Sequence, residues 1–335
     1  MKKKQANKVG RWTLAAALLL AAVPMAGSAK AQTTWNMYIT FPVATAPNVM
    51  GIKRILAGIE KESKGALKVN LHLGGSLPIK GNTITQAVAD NVVQMGDDAF
   101  FQGNVPIAGL LRLPLLIRNL AEFKKAEKIM WPYIEEAYAK KGIIALGEYA
   151  YPLQYPFSSK KLTSLADIKG QKLRPTSPEQ GEFVKRFGGI PVSAGAAEVP
   201  TALQRGTFNG VITAAAVGGK AWKEYLKYVY ALPLNFGNSI TIVNKAAFDK
   251  LSPEVQADLR KLVEKNTNEI TATLSAKNDS VTKDLAKGGM VLTEPSDADA
   301  AEALKVMKPY WAQWAKQRGP KAVEALAKVR AALGR

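Results

Sequence analysis

The chain has 335 residues, and its 46 Lys and Arg against 27 Asp and Glu give a formal net charge of +19. It contains no cysteine, which excludes disulfide frameworks, cysteine-based metal sites and cysteine nucleophiles. The basic residues are scattered and form no nucleic-acid-binding motif, so we expect no nucleic-acid partner. The excess charge indicates a solvated, lysine-rich surface, or a surface that attracts anionic solutes or an acidic membrane partner.

Residues 1–31 have the composition of an export signal. Five basic residues lie before or at the start of an apolar run over 13–22, and Ala29-Lys30-Ala31 has the A-x-A pattern that precedes cleavage. The apolar run is too short to span a bilayer comfortably, and no second one occurs. Loss of this segment, with its six cations and no acids, lowers the formal charge to +13. We expect cleavage after Ala31 and a mature chain free in a bacterial periplasm.

The first half of the mature chain alternates predicted strands and helices. Period-two alternation over 67–73 predicts a half-buried strand and places His72, the only histidine, on its polar face. A solvent-facing role is therefore expected for His72 rather than catalysis or metal binding. The other predicted elements are a strand-like segment at 33–41, helices at 46–63, 83–90 and 124–141, a strand at 92–96, and an aromatic-rich strand at 143–155.

Arg174 lies at the centre of the most informative stretch, residues 154–214. Pro175 disfavours a helical conformation for the residue before it, so Arg174 is predicted at the end of a strand. Ser177-Pro178-Glu179-Gln180 has the form of a helix start with a capping serine. A guanidinium beside a helix N-terminus, at the carboxyl edge of a sheet, suits a carboxylate ligand. A surface arginine paired with a neighbouring acid is the ordinary alternative.

The last third of the chain is predicted to be mainly helical. Residues 220–228 are interpreted as a helix, and 229–243 as two strands joined near 235–238. Ser252 and Pro253 predict the start of a helix of ~35 residues that ends at Gly288, about 50 Å long. A strand at 290–292 and helices from about 298 and 320 complete the chain.

Three linked motifs, LADIKGQKLRPTSP, GGIPV and EVPTALQRGTFNG, resemble those of the solute-binding proteins of TRAP (tripartite ATP-independent periplasmic) transporters, the DctP family. The family typically shows L-x-D-[LIM]-K-G-x-K-[IL]-R, then G-x-x-P, then E-V-Y-x-A-L-Q-x-G-x-[VI]-D-G. The matching residues are Leu165, Asp167, Ile168, Lys169, Gly170, Lys172, Leu173, Arg174, Gly188, Pro191, Glu198, Val199, Ala202, Leu203, Gln204, Gly206 and Gly210.

The resemblance implies that Arg174 holds a substrate carboxylate. The chain departs from the family pattern at Pro200, which replaces a tyrosine, at Asn209, which replaces an aspartate, and at 212–214. Those positions often supply ligand-binding side chains and, in some keto-acid binders, part of a metal site, so no metal or other cofactor is predicted. Gln154 stands where sialic-acid binders carry a second arginine, which argues against sialic acid.

The resemblance also implies further ligand contacts. The point just past the strand at 92–96 faces the cleft in the family, so Asp98 and Phe100 become candidates; a paired surface acid and a core aromatic are the alternatives. Ala196, where a bulky residue is common, favours a roomier pocket. Gln154 and Thr213 would add neutral hydrogen bonds. The complete predicted set is Arg174, Gln154, Thr213, Phe41, Phe100, Asp98, Phe236 and Asn235, with the phenylalanines as walls.

Catalytic signatures are missing from the sequence. There is no phosphate-binding loop, no H-E-x-x-H, no G-x-S-x-G and no histidine placed for a serine triad. Residues 158–161 formally give S-x-x-K, but the companion motifs of penicillin-binding enzymes do not occur, and chance explains the match. We therefore expect a protein that is not an enzyme.

The expected fold is α/β: a two-lobed, type II-like periplasmic-binding-protein fold, with a long helix bracing both lobes. The predicted division is a signal peptide at 1–31, lobe I at 32–152 completed by about 240–275, and lobe II at 153–239 completed by about 280–335. The resemblance implies that a monomer captures a small organic acid by lobe closure. It then delivers the acid to the small and large TRAP membrane subunits. A monocarboxylate or keto acid with an apolar or aromatic body is favoured. A binding protein of an ABC importer and a periplasmic enzyme of similar fold are the alternatives.

Overall fold

The computed structural model describes residues 32–335, and the predicted export signal at 1–31 lies outside the described residues. The strands are β1 (Thr33–Ile39), β2 (Leu67–His72), β3 (Met95–Asp98), β4 (Ile143–Ser158), β5 (Lys172–Arg174), β6 (Ile190–Pro191), β7 (Gly210–Thr213), β8 (Tyr228–Tyr230), β9 (Asn235–Asn244) and β10 (Val291–Thr293). The helices are α1 (Pro47–Glu62), α2 (Ile84–Ala89), α3 (Leu120–Ala139), α4 (Pro178–Arg186), α5 (Val199–Gln204), α6 (Lys245–Phe248), α7 (Pro253–Lys287), α8 (Asp297–Gln317) and α9 (Pro320–Ala332).

The strands form two lobes that share β4. In the first, which we call lobe I, the order is β2-β1-β3-β9-β4; in the second, lobe II, β4 is followed by β7, β5 and β6, with β8 and β10 alongside. Residues 143–154 of β4 pair antiparallel with β9, and residues 155–158 pair with β7. Strand β4 therefore carries the chain from one lobe into the other, which confirms the predicted two-lobed α/β fold.

Helix starts follow the capping residues that the sequence indicates. The Ser177 hydroxyl accepts a hydrogen bond from the Gln180 N–H at 3.3 Å, and the Ser252 hydroxyl accepts one from the Val255 N–H at 3.4 Å. Each satisfies one of the N–H groups that have no partner in the first helical turn. Both helices begin with proline, at Pro178 and Pro253. These local signals position α4 directly after the strand that carries Arg174.

Helix α7 runs for 35 residues and contacts both lobes, as predicted. In lobe I it packs along α1, where a Cβ on Gly51 would lie 2.1 Å from the Ile270 side chain. In lobe II, Asn278 Oδ1 accepts a hydrogen bond of 3.2 Å from the Ala216 N–H. The glycine lets the two helices approach closely, and the long helix therefore braces the two lobes.

The C-terminal helices contact elements of both lobes. Helix α8 packs on lobe II, where Asp299 accepts a hydrogen bond of 3.2 Å from the Leu165 N–H. Helix α9 packs on α3 of lobe I, where Tyr133 donates to Glu324 at 2.9 Å. The largest buried hydrophobic cluster likewise continues from lobe I into lobe II. The residue numbers at which we divide the chain into lobes stay a prediction.

Three local interpretations differ from the structure. Residues 220–228 do not form the predicted helix: a π-helical turn at Ala215–Gly219 and a 3-10 turn at Lys223–Tyr225 lead into β8, because pairing with β4 and β10 outweighs local helical preference. The strand predicted at 92–96 is β3, and it runs to Asp98. The turn predicted at 235–238 is the beginning of β9. Among the described residues, no helix is both long and apolar enough to cross a membrane.

Candidate functional site

A cavity lies between the lobes, beside β4. It leaves the centre of a water molecule about 70 Å³ in which to move, which is room for several waters or one small organic molecule. Five of the predicted ligand-binding residues line it. The lining comprises Thr40, Phe41, Asp97, Ala99, Phe100, Arg112, Tyr151, Gln154, Arg174, Thr176, Ala196, Thr213, Ala214, Val217, Trp222 and Gly237.

Arg174 brings a buried cation with free hydrogen-bond donors to this cavity. Its side chain is 2% exposed, and its Nε donates to the Ala194 carbonyl at 2.9 Å. Its Nη2 is buried without a hydrogen-bond partner among residues 32–335. Burial lowers the pKa of the guanidinium to about 10, a loss that Glu198 partly offsets, so the group stays charged at neutral pH. An unpaired buried cation is costly unless something binds it.

The position of Arg174 follows from its strand. β5 lies parallel to β7, with Arg174 opposite Val211 and Leu173 opposite Gly210. A Cβ on Gly210 would lie 2.1 Å from the Phe157 carbonyl oxygen, so the glycine allows β7 to fit between β4 and β5. Pro175 ends the strand and α4 begins soon after it. The arginine therefore projects from the carboxyl edge of the strand, as predicted.

Gln154 belongs to a buried cluster of amides and hydroxyls that joins β4, β9 and α4. Its Oε1 accepts hydrogen bonds from the Thr176 hydroxyl at 2.8 Å and from the Gln180 Nε2. Gln180 also donates to Asn235 Oδ1 at 2.9 Å and accepts from the Thr176 N–H at 2.6 Å. These bonds fix the Gln154 side chain. Its Nε2 group donates to no described residue. Gln154 can therefore donate one hydrogen bond into the cavity.

Arg112 is a second buried arginine in the lining, and its donors are taken. Its Nε donates to Asn238 Oδ1 at 2.5 Å, its Nη2 to the Ala99 carbonyl at 2.9 Å, and its Nη1 to the Thr176 carbonyl at 3.4 Å. Its guanidinium carbon also lies 4.7 Å from the centre of the Phe101 ring. Asn238 and Ala99 belong to lobe I, whereas Thr176 precedes α4 of lobe II. Arg112 therefore links the lobes beside the cavity.

A chain of hydrogen bonds connects Asp97 to the cavity-lining Tyr151. Asp97 accepts from the Ser239 hydroxyl at 2.7 Å and from the Tyr149 hydroxyl at 2.9 Å. The hydroxyls of Tyr149 and Tyr151 are 3.0 Å apart, and Asn48 Nδ2 donates to the Tyr151 oxygen at 3.2 Å. Burial raises the pKa of Asp97 to about 7, despite the two hydrogen bonds that favour its ionised form. This part of the wall is polar, with a carboxyl group that is only partly ionised at neutral pH.

Aromatic and aliphatic side chains form the rest of the wall. Phe41, Phe100, Val217 and Trp222 line the cavity, and the ring centre of Phe100 lies 5.8 Å from the guanidinium carbon of Arg174. A Cβ on Gly218 would lie 2.4 Å from the Trp222 ring, so this glycine permits the observed position of the indole. An apolar wall beside a cation suits an acid with a hydrocarbon body.

Three predicted ligand-binding residues do not line the cavity. Asp98 follows Asp97 in β3, and alternation directs it to the opposite face, where it accepts from Tyr138 at 3.1 Å. The Phe236 ring packs on that of Phe123, with centres 5.3 Å apart, because residue 236 lies within β9 instead of in a turn. Asn235 is buried in the amide cluster described above. A ligand-binding role for these three is therefore not part of our proposal.

Sequence reasoning missed four conspicuous residues of the lining: Asp97, Arg112, Tyr151 and Trp222. Arg112 interrupts the apolar run 105–117, which is a signal for a buried arginine. Asp97 lies within β3, which runs to Asp98, whereas the predicted strand ended at residue 96. Tyr151 lies in the aromatic-rich part of β4, where the sequence shows no polar and apolar alternation that would tell which rings face the cavity. Trp222 carried no signal because its segment was predicted to be a helix.

The described chain offers little for a metal ion. Within residues 32–335 there is no group of three or more His, Cys, Asp or Glu side chains that could hold one. Asn209, at the position where the family often has an aspartate, accepts a hydrogen bond of 3.2 Å from the Lys172 N–H. The Asn209 side chain therefore bonds to β5 and does not line the cavity.

A larger cleft adjoins the cavity. It leaves about 690 Å³ by the same measure and shares four lining residues with the cavity: Thr40, Phe100, Thr176 and Ala196. Its lining also includes residues of the segments 74–82 and 193–196, with Lys80 and Lys185. The cavity around Arg174 is thus continuous with a larger space between the lobes.

Comparison with known proteins identifies the family. Residues 42–317 match the bacterial extracellular solute-binding proteins, family 7, or DctP. The chain belongs to this family. The 2,3-diketo-L-gulonate-binding periplasmic protein YiaO of Escherichia coli (strain K12) is 28% identical over 211 residues, 60% of this chain. The match spans 63% of that relative, less than two thirds of its length. A solute-binding protein of Verminephrobacter eiseniae (strain EF01-2) is 25% identical over 89% of both chains.

Solved structures of family members share the fold. DctP6, a Bordetella pertussis extracytoplasmic solute receptor binding pyroglutamic acid, is 26% identical with a TM-score of 0.83. That match covers 90% of this chain and all of that one. DctP7 of the same organism, also binding pyroglutamic acid, is 24% identical with a TM-score of 0.82 over 89% of this chain and 99% of that one. The two-lobed DctP fold therefore extends over nearly the whole described chain.

Proposed function

We propose that this protein is the periplasmic solute receptor of a TRAP transporter and that it captures a small monocarboxylic acid. The observation that carries the proposal is Arg174, a buried guanidinium whose Nη2 has no partner among the described residues and which lines a cavity between the lobes. The protein would deliver the acid to the membrane subunits without a catalytic step.

The geometry around Arg174 supports a carboxylate. Because Nε is bonded to the Ala194 carbonyl, the two terminal nitrogens are left for the ligand. A carboxylate can accept two parallel hydrogen bonds from them, and charge-assisted bonds of this kind are each worth roughly 1.5–3 kcal/mol. Gln154, Thr213, Phe41 and Phe100 also line the cavity. The two polar residues would add neutral hydrogen bonds, and the two phenylalanines would pack on the ligand body.

The ligands of relatives agree with this class. DctP6 and DctP7 bind pyroglutamic acid, a small cyclic monocarboxylate, and YiaO is named for a diketo sugar acid. An acid of that size matches the space between the lobes, since the cavity is small and continues into a wider cleft. We therefore place pyroglutamate first among the candidate ligands.

Lobe closure is the proposed mechanism of capture. Strand β4 and helix α7 are the continuous elements that connect the lobes, so bending there would open the cleft. Arg174 lies in lobe II and Phe41 follows β1 of lobe I, so a ligand held between them would stabilise the closed form. Affinity then depends on both lobes.

The experiment is a thermal-shift screen of residues 32–335 against organic acids, with Arg174→Ala beside the wild type. An acid at 100 times its dissociation constant adds about 2.7 kcal/mol of stability. We expect shifts with a few monocarboxylates that disappear in Arg174→Ala. Arg205→Ala removes the same charge from an exposed position of lobe II and should keep the shifts. Shifts that survive in Arg174→Ala would contradict the carboxylate site, and no shift with any acid would contradict the proposed function.

A further inference from the structure

Tyr151 is a second polar group in the ligand cavity. It lies on β4, is half-buried, and lines the same small cavity as Arg174. Its hydroxyl is 3.0 Å from that of Tyr149, and Asn48 Nδ2 lies 3.2 Å from its oxygen. The Asn48 side chain is 1% exposed and Tyr149 is fully buried. The phenol is therefore held by side chains with little freedom to move.

Counting hydrogens shows what the Tyr151 hydroxyl can offer a ligand. When Asp97 is ionised, it accepts the only hydroxyl hydrogen of Tyr149, at 2.9 Å. Asn48 donates to the Tyr151 oxygen, so the acceptor capacity of that oxygen is already used in part. The hydrogen of Tyr151 can then point to the Tyr149 oxygen or into the cavity. An O–H donor is therefore what Tyr151 can offer a ligand, and in this charge state it does so by giving up its bond to Tyr149.

Protonation of Asp97 does not remove this donor. A protonated Asp97 can donate to the Tyr149 oxygen, and Tyr149 can then donate to Tyr151. The Tyr151 oxygen would accept in that arrangement, which directs its own hydrogen into the cavity. Tyr151 can thus donate to the ligand in both charge states of the carboxyl group: its hydrogen is free when Asp97 is protonated, and it exchanges its bond to Tyr149 for one to the ligand when Asp97 is ionised.

We propose, building on the proposed function, that Tyr151 is a specificity-determining residue: it donates a hydrogen bond to a neutral oxygen of the acid whose carboxylate lies on Arg174. The site then selects monocarboxylates that carry a carbonyl or hydroxyl oxygen across a short hydrocarbon body. Phe100 and Trp222 contact that body. A hydrocarbon acid of the same shape leaves the Tyr151 hydrogen without a ligand partner and loses affinity.

The test uses acids that differ only at the second oxygen. Isothermal titration of residues 32–335 compares pyroglutamate with cyclopentanecarboxylate, and levulinate with pentanoate. In the wild type we expect the oxygen-bearing acid of each pair to bind ~10–100-fold more tightly. In Tyr151→Phe this preference falls to within ~3-fold, because the affinity of the oxygen-bearing acid drops while that of the hydrocarbon acid changes little.

Tyr138→Phe is the matched control. Tyr138 is a fully buried tyrosine whose hydroxyl donates to Asp98 at 3.1 Å, and it does not line the cavity. Removing its hydroxyl is the same chemical change beside the neighbouring carboxyl group. We expect the preference within each pair of acids to stay at its wild-type value.

The ratio of affinities protects the test against partial unfolding. An unfolded fraction of Tyr151→Phe lowers the apparent affinity for both acids of a pair equally, so their ratio still reports the hydroxyl. A wild-type ratio retained in Tyr151→Phe overturns the proposal. Equal binding of both acids of a pair by the wild type also overturns the proposal. So does a wild type that binds other acids but neither pyroglutamate nor levulinate. In both cases the carboxylate site at Arg174 would still stand. If the wild type binds no acid at all, the proposed function fails too.

Discussion

Arg174 and Arg112 line the same cavity and resemble each other in burial and charge. Both are 2% exposed, and burial lowers the pKa of each to about 10. They differ in their partners: three nitrogens of Arg112 donate to Asn238, Ala99 and Thr176, whereas Arg174 donates only to Ala194. Burial and pKa therefore do not separate a structural arginine from one that can bind a ligand. The unused donors do.

The largest effect should come from removing Arg112. Arg112→Ala leaves Asn238 and the Thr176 carbonyl without their partner and takes a positive charge away from the buried Glu148 and Glu179. Losing one partner of a buried charged network costs roughly 3–5 kcal/mol. We expect urea unfolding to show a decrease of that size in the free energy of unfolding.

Arg205→Ala is the control for this substitution, because Arg205 is exposed and should change the free energy of unfolding by no more than about 0.5 kcal/mol. A loss below about 1 kcal/mol in Arg112→Ala would show that the hydrogen bonds of Arg112 contribute little to the stability of the folded protein.

The surroundings of Arg112 also predict a pH dependence. Burial raises the pKa of Glu148 to about 8 and of Asp98 to about 6, and both lie near Arg112. The folded protein therefore holds protons that the unfolded chain releases near its ordinary carboxyl pKa values. Stability from these groups is complete below about pH 4 and is lost progressively as pH rises to about 6 for Asp98 and about 8 for Glu148, by on the order of a few kcal/mol.

Glu148→Gln removes one of these groups and keeps an oxygen for the Asn238 amide. Urea unfolding at pH 5 and pH 8 should show a smaller decrease in this variant than in the wild type. An equal decrease in the two proteins would mean that Glu148 is ionised in the folded state throughout this range.

The smallest effect should come from Arg174 in the absence of ligand. Arg174 has one hydrogen bond and, in Glu198, one charged neighbour to offset its burial. Arg174→Met keeps the long side chain and removes the buried charge, so we expect the free energy of unfolding to stay within about 1 kcal/mol of the wild type or to rise. A loss as large as that of Arg112→Ala would show that both arginines are structural.

Much of the fold could be predicted from the sequence because its signals are local. Proline and a capping serine mark the starts of α4 and α7, and alternation marks β2. The prediction failed for residues 220–228, where pairing of β8 with β4 and β10 decides the structure. A short segment cannot reveal partners that lie 63 to 72 residues away in the chain.

The candidate site could be predicted only in part. Arg174, Gln154, Thr213, Phe41 and Phe100 line the cavity; Arg174 was reached through its motif and the other four through the family resemblance. Strand alternation separated Asp97, which lines the cavity, from Asp98, which does not. Neighbouring residues of a strand face opposite sides, so an error of one residue exchanges the two faces, and the sequence named the wrong member of the pair.

The sequence by itself predicted the export signal, and it was sufficient for the family and for the strand end that carries Arg174. All three depend on residues close together in the chain. Tertiary structure alone decided which donors remain free. Arg112 and Arg174 are the same residue type in similarly buried places, but the nitrogens of Arg112 are occupied by groups brought to it from β9, from the end of β3 and from the residues before α4. Hydrogen-bond saturation depends on groups distant in the chain, so no local pattern can encode it.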